Sequence, residues 1–127
     1  MITLEQMGTI LDALTEELPP EFFEELNGGV LLMPQTEYSP ESRKHDLLVL
    51  GRYYNSSSMG RHIEIYYGSF RELYGKLSEG ALTLELRKTL RHEFRHHVEW
   101  LAGSRDLEME DERYLADYLR HRDVNPG

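Results

Sequence analysis

The segment Arg91-His92-Glu93-Phe94-Arg95-His96-His97 holds three of the chain's six histidines, with a glutamate directly after the first. His92 and His96 are four residues apart. On a helix they stand one turn above one another, close enough for their imidazoles to share one ion at about 2.0 to 2.1 Å. Glu93 borders the same face, where a carboxylate can take a proton from an attacking water instead of ligating the metal. Two histidines at i and i+4 with this glutamate form the HExxH pattern, whose chemistry is metal-assisted hydrolysis.

That chemistry requires a helix whose histidines lie off the side facing the core. With His92 at zero and 100° per residue, Leu86, Leu90, Phe94, Val98 and Leu101 fall within about 120° to 240°, an apolar stripe suited to packing on a sheet. His92 and His96 fall near about 0° and 40°, on the opposite side. His97, near about 140°, sits at the edge of the stripe and is expected to pack or support the site rather than bind the ion. The competing picture is a charged, solvated helix whose Arg87, Lys88, Arg91, Arg95 and Glu99 form i,i+4 pairs. His45, His62 and His121 are expected to be surface or loop residues.

The elements that must position this helix follow from pattern and punctuation. Thr3 as N-cap and Gln6 as its capping-box partner open a helix carrying Ile10, Leu11, Leu14 and Leu18, which Pro19-Pro20 ends. A short helix is predicted over 21–26, stopped by Asn27-Gly28-Gly29. Strands are predicted over 30–33, 47–54 and 62–67, the last two as a hairpin, with polar loops over 35–46 and 55–60. A short helix over 69–74 precedes the long helix, predicted over 83–102 with Gly103 as its stop, and a final helix is predicted over 111–120. Helices, then a small sheet, then helices make an α+β chain.

Length and composition bound the rest. At 127 residues the chain is expected to be a single domain, residues 1–127, with 39% hydrophobic and 10% aromatic residues to supply one core. No cysteine is present, so there is no disulfide or thiolate site, and any metal must be held by His, Asp or Glu. Lys+Arg number 14 against 23 Asp+Glu, for a net charge of −9, which lacks the electropositive footprint of a nucleic-acid binder. The acidic N-terminal segment has neither the basic start of a signal peptide nor an apolar run long enough to span a membrane, so a cytoplasmic protein is predicted.

Motif and flanks together resemble the minimal zincins, small bacterial metallopeptidase-like proteins with the signature HExxHxxGxxD. The similarity runs through VLGRYY (49–54), IEIYYGSF (63–70), LRKTLRHEFRHH (86–97) and DERYL (111–115). It implies a small mixed sheet packed against a long active-site helix, with further helices at both termini. It also implies zinc held by His92 and His96, with Glu93 as general base. The third ligand departs from the signature, because six residues separate His96 from Gly103 where the short form has two. Reading Gly103-Ser104-Arg105-Asp106 as GxxD gives Asp106, carried about 6 Å along the axis by the extra turn. Matching the aspartate that opens the following helix gives Asp111, the favoured candidate, with Glu112 behind both. Glu99 shares the histidine face as a surface or supporting group.

The resemblance implies a zinc metallopeptidase acting on a peptide or protein substrate, with residues 62–67 as the edge strand that the substrate joins. Tyr66 and Tyr67 are expected to pack rather than to touch substrate. The alternatives are a zincin-fold metal- or peptide-binding protein with little proteolysis, a metal-dependent nuclease, and an acidic interaction module without metal.

Overall fold

A computed structural model of the chain describes residues 1–41 and 47–104. The first helix, α1 (Leu4–Glu16), is capped as predicted: the Thr3 hydroxyl accepts the Gln6 N–H at 3.1 Å, and the Gln6 side chain accepts the Thr3 N–H at 2.8 Å. Its Met7, Leu11 and Leu14 are buried. The helix expected over 21–26 is instead a 3₁₀ turn, Pro20–Phe23. Glu24 turns extended at ψ 130° and Glu25 takes φ 59°, a left-handed conformation that ends any helical run.

Five strands follow: β1 (Gly29–Met33), β2 (Glu37–Tyr38), β3 (Leu48–Val49), β4 (Gly51–Ser56) and β5 (Gly60–Tyr66). β2 and β3 form an antiparallel ribbon, so the run expected over 47–54 is divided at Leu50 between two sheets. The larger sheet is mixed, in the order β1-β5-β4, with β5 parallel to β1 and antiparallel to β4. The β4–β5 hairpin matches expectation. The edge-strand assignment to 62–67 does not: β5 is hydrogen-bonded on both sides, and a peptide can add only to an unpaired edge.

Two helices complete the described residues, α2 (Tyr67–Tyr74) and α3 (Glu79–Ser104). The Ser78 hydroxyl accepts the Ala81 N–H at 3.2 Å, so α3 starts four residues before the predicted position 83. Gly103 lies within its last turn. The helix expected over 111–120 falls outside the described residues, as do His45 and His121. No described helix is long and apolar enough to cross a membrane.

Alternation along β5 decides which face carries the core. Ile63 and Ile65 cluster with Met7, Leu11 and Leu14 of α1, with Phe22, and with Leu82, Leu86, Leu90, Phe94 and Val98 of α3. The stripe predicted for α3 is therefore buried, each member contributing about 1.5 to 3 kcal/mol by leaving water. Arg87 and Arg91 both reach Glu17 beyond the end of α1, Arg87 through two 3.0 Å contacts and Arg91 at 3.5 Å.

The opposite face of β5 carries His62, Glu64 and Tyr66. His62 is not a surface residue but 3% exposed, because Tyr54 lies directly across the ladder and stacks on it at 4.9 Å. Its Nε2 is 3.0 Å from Glu64, which accepts the Tyr66 hydroxyl at 2.8 Å, and the Tyr54 and Tyr66 hydroxyls meet at 2.7 Å. Burial, with the bonds to Tyr54 and Glu64, pushes the Tyr66 hydroxyl far above its ordinary value. Tyr66 packs as expected, and Tyr67 donates to the Ile2 carbonyl at 2.6 Å.

Candidate functional site

His92, Glu93 and His96 stand on the middle turns of α3, carried by the turns that bury Leu90, Phe94 and Val98 on its other side. His92 is half-buried and His96 exposed. Their ring centroids are 5.0 Å apart, with planes at 86°. Two imidazoles on one tetrahedral zinc, each with its nitrogen at about 2.0 to 2.1 Å, put their centroids about 5 Å apart. The separation of the two rings is the one that a shared ion would require. Among the described residues no group of three His, Asp or Glu side chains converges as a metal set. Asp111 and Asp106, the candidate third ligands, lie outside the described residues, and so does Glu112.

Glu93 is more enclosed than a position bordering the histidine face suggests, at 7% exposure. The neighbour that encloses it is β4. The Tyr66 N–H donates to the Leu50 carbonyl at 2.9 Å, so alternate residues Leu50, Arg52 and Tyr54 bond toward β5. Gly51 and Tyr53 accordingly present their backbone groups at the outer edge of the sheet, and the Glu93 carboxylate accepts the Tyr53 N–H there. Burial pushes the Glu93 carboxyl up to about 7, opposed by the charge of Arg52 and by that N–H. A carboxyl poised near neutrality suits a group that must both take and return a proton.

The approach of strand to helix depends on Gly51. A Cβ there would lie 3.0 Å from Ile65 Cδ1, 3.1 Å from Thr89 Cγ2 and 3.2 Å from the Glu64 carbonyl. Gly51→Val is expected to force β4 and α3 apart and to lower stability by about 1 to 3 kcal/mol, measured by urea unfolding. An unchanged midpoint would show that the gap accommodates a side chain. Beside this contact runs a cleft of about 380 Å³, lined by residues 48–51, by Tyr74 and by Glu85, Lys88, Thr89, His92 and Glu93 of α3.

His97 is fully buried and uses both ring nitrogens. Nε2 lies 2.7 Å from the Glu24 carbonyl, which only accepts, so Nε2 carries the proton and donates. Nδ1 then accepts the Tyr53 hydroxyl at 2.7 Å. With both nitrogens engaged, His97 packs between Tyr53 and the Glu24 carbonyl, as its place on the stripe's edge predicts. Sequence reasoning does not single out Tyr53, and nothing in the local pattern marks a tyrosine among the eight as the one facing Glu93.

No family model and no curated protein matches the chain. Among solved structures, it is similar to a conserved hypothetical protein from Thermo thermophilus, with 34% identity and a TM-score of 0.68. The match covers 81% of this chain and 100% of the other.

Proposed function

We propose, for a chain that belongs to the same family as that Thermo thermophilus protein, zinc-dependent peptide hydrolysis on a minimal zincin-like scaffold. The observation that carries the proposal is the joint placement of the His92–His96 pair and a buried Glu93 at the outer edge of β4. His92 and His96 would hold the ion, with Asp111 or Asp106 as the third ligand. Zinc there would supply Lewis acidity, polarising the scissile carbonyl and acidifying the attacking water.

The chain's own residues do the rest. With the Tyr53 N–H held by Glu93, the outward Gly51 groups and the Tyr53 carbonyl pair with an extended peptide, which lies as an added strand along β4. Glu93 sits at that same edge, so the base and the peptide backbone meet in one place. It takes the proton of the attacking water and returns it to the departing amine. Exclusion of water around Glu93 keeps the carboxyl in the range where both transfers are feasible.

Metal content decides the proposal. Protein purified without a metal-affinity tag is expected to carry stoichiometric zinc by mass spectrometry, lost in His92→Ala and His96→Ala and in one of Asp111→Ala and Asp106→Ala. Absence of metal, even after zinc is offered, would leave α3 a charged helix and end the enzyme reading. A second reading, a metal- or peptide-binding protein with little proteolysis, is favoured by the exposure of His96. It predicts the same zinc content and no hydrolysis that depends on Glu93.

A further inference from the structure

We infer that Tyr53 is a positioning residue for the zinc pair: its hydroxyl, through His97, fixes the rotation of α3 about its own axis against β4. The inference rests on the zinc reading above and adds the device that sets which side of an amphipathic helix, and so which way its two histidines, turns relative to the strand.

Tyr53 meets α3 twice. Its backbone N–H holds the Glu93 carboxylate, and its hydroxyl donates to His97 Nδ1 at 2.7 Å. These two contacts bracket the metal-binding turn, one at its start and one directly after His96. A rotation of α3 that turned His92 and His96 away from β4 would break both together. The far side of the imidazole is equally fixed, since Nε2–H donates to the Glu24 carbonyl at 2.7 Å.

The groups around His97 leave it little freedom. Tyr53 lies against one side of the ring at 5.4 Å, and Trp100 stacks on it at 5.9 Å with planes at 13°. The Arg61 guanidinium lies 3.7 Å from the centre of the Trp100 ring, and its Nε donates to the Glu25 carbonyl at 3.2 Å. The carbonyls of Glu24 and Glu25 therefore both anchor this assembly, with Glu25 held at φ 59° between Glu24 and Leu26. A ligand helix held by bonds beside the ligands loses little entropy when the ion arrives; a direct partner of a ligand is typically worth about 10- to 100-fold in metal affinity, and a bond one residue removed is expected at the low end of that range. Burial pushes the Tyr53 hydroxyl up to about 12, so it remains a donor at physiological pH.

The test compares Tyr53→Phe with Tyr67→Phe, which removes another half-buried hydroxyl, the one bonded to the Ile2 carbonyl at 2.6 Å. Three quantities are read for each: the thermal midpoint, the zinc dissociation constant by competition with a chromophoric chelator, and the visible spectrum of the cobalt-loaded protein. Tyr53→Phe is expected to weaken zinc about 10-fold and to shift the cobalt bands. Tyr67→Phe is expected to lower the midpoint by a similar amount and leave affinity and spectrum unchanged. Wild-type affinity and spectrum in Tyr53→Phe would overturn the inference while leaving the zinc site intact, and so would equal weakening in both variants. A wild-type chain that binds no zinc would strike down the zinc reading itself, and this inference with it.

Discussion

Metal-free Glu93→Gln protein is expected to be more stable than the wild-type chain at pH 8, and the zinc-loaded variant to have lost hydrolysis. The first effect follows from linkage. Glu93 has an ordinary value near 4.5, which it regains on unfolding, and burial raises it to about 7 in the folded chain. Below pH 4.5 the carboxyl is protonated in both states and contributes no pH-dependent difference. Between the two values the folded state binds the extra proton, so stability falls as pH rises, and above about pH 7 the full cost of burying the anion is present. That cost is on the order of 3 kcal/mol. Glutamine keeps the shape and can still accept the Tyr53 N–H, so its advantage should vanish near pH 4 and be largest near pH 8, as measured by denaturant unfolding after chelation. The second effect is the loss of the proton carrier, worth about 10² to 10⁴ in rate. Retained zinc with lost hydrolysis supports the peptidase reading; retained zinc with unchanged hydrolysis would remove Glu93 from the mechanism.

Some of this arrangement could be read from residues in a row, and some could not. The Thr3–Gln6 box, the hairpin and the apolar stripe of α3 are local signals, and each appears where its period or cap puts it. The misplaced features depend on contacts distant in sequence. β5 lies in the centre of the sheet because β1, well before it in the chain, pairs parallel to it, and no pattern within 62–67 encodes that neighbour. The same pairing leaves β1 and β4 as the edges of that sheet. His62 is buried because Tyr54 faces it across the ladder, and Glu93 because Gly51 admits the strand to the helix. The turn at Pro20–Phe23 leads into a glutamate at positive φ, a conformation its residue type does not announce. The placing of His92, Glu93 and His96 together on one helix was therefore visible in spacing, whereas the surroundings that enclose Glu93 came from the sheet.

Phe94→Ala is expected to cost about 3 to 5 kcal/mol, because it removes a fully buried ring and leaves a cavity that its rigid neighbours fill only in part. Phe94 lies edge-on to Phe23 at 5.0 Å, in the cluster where α1, α3 and the sheet meet. For a chain of this size the loss should lower the thermal midpoint by roughly 10 to 20 °C. Leu84→Ala, at a 54% exposed position on the same helix, should change stability by no more than about 0.5 kcal/mol. Equal effects at the two positions would contradict the assignment of the buried face. The comparison also separates the core from the site. Phe94 points away from His92 and His96, so zinc should raise the midpoint of the variant and of the wild-type chain by similar increments, set by concentration and affinity rather than by starting stability. If zinc instead stabilised the wild type alone, the packing of Phe94 would itself be part of what orients the two histidines, and the rotation of α3 would depend on its core face as much as on the Tyr53–His97 contact.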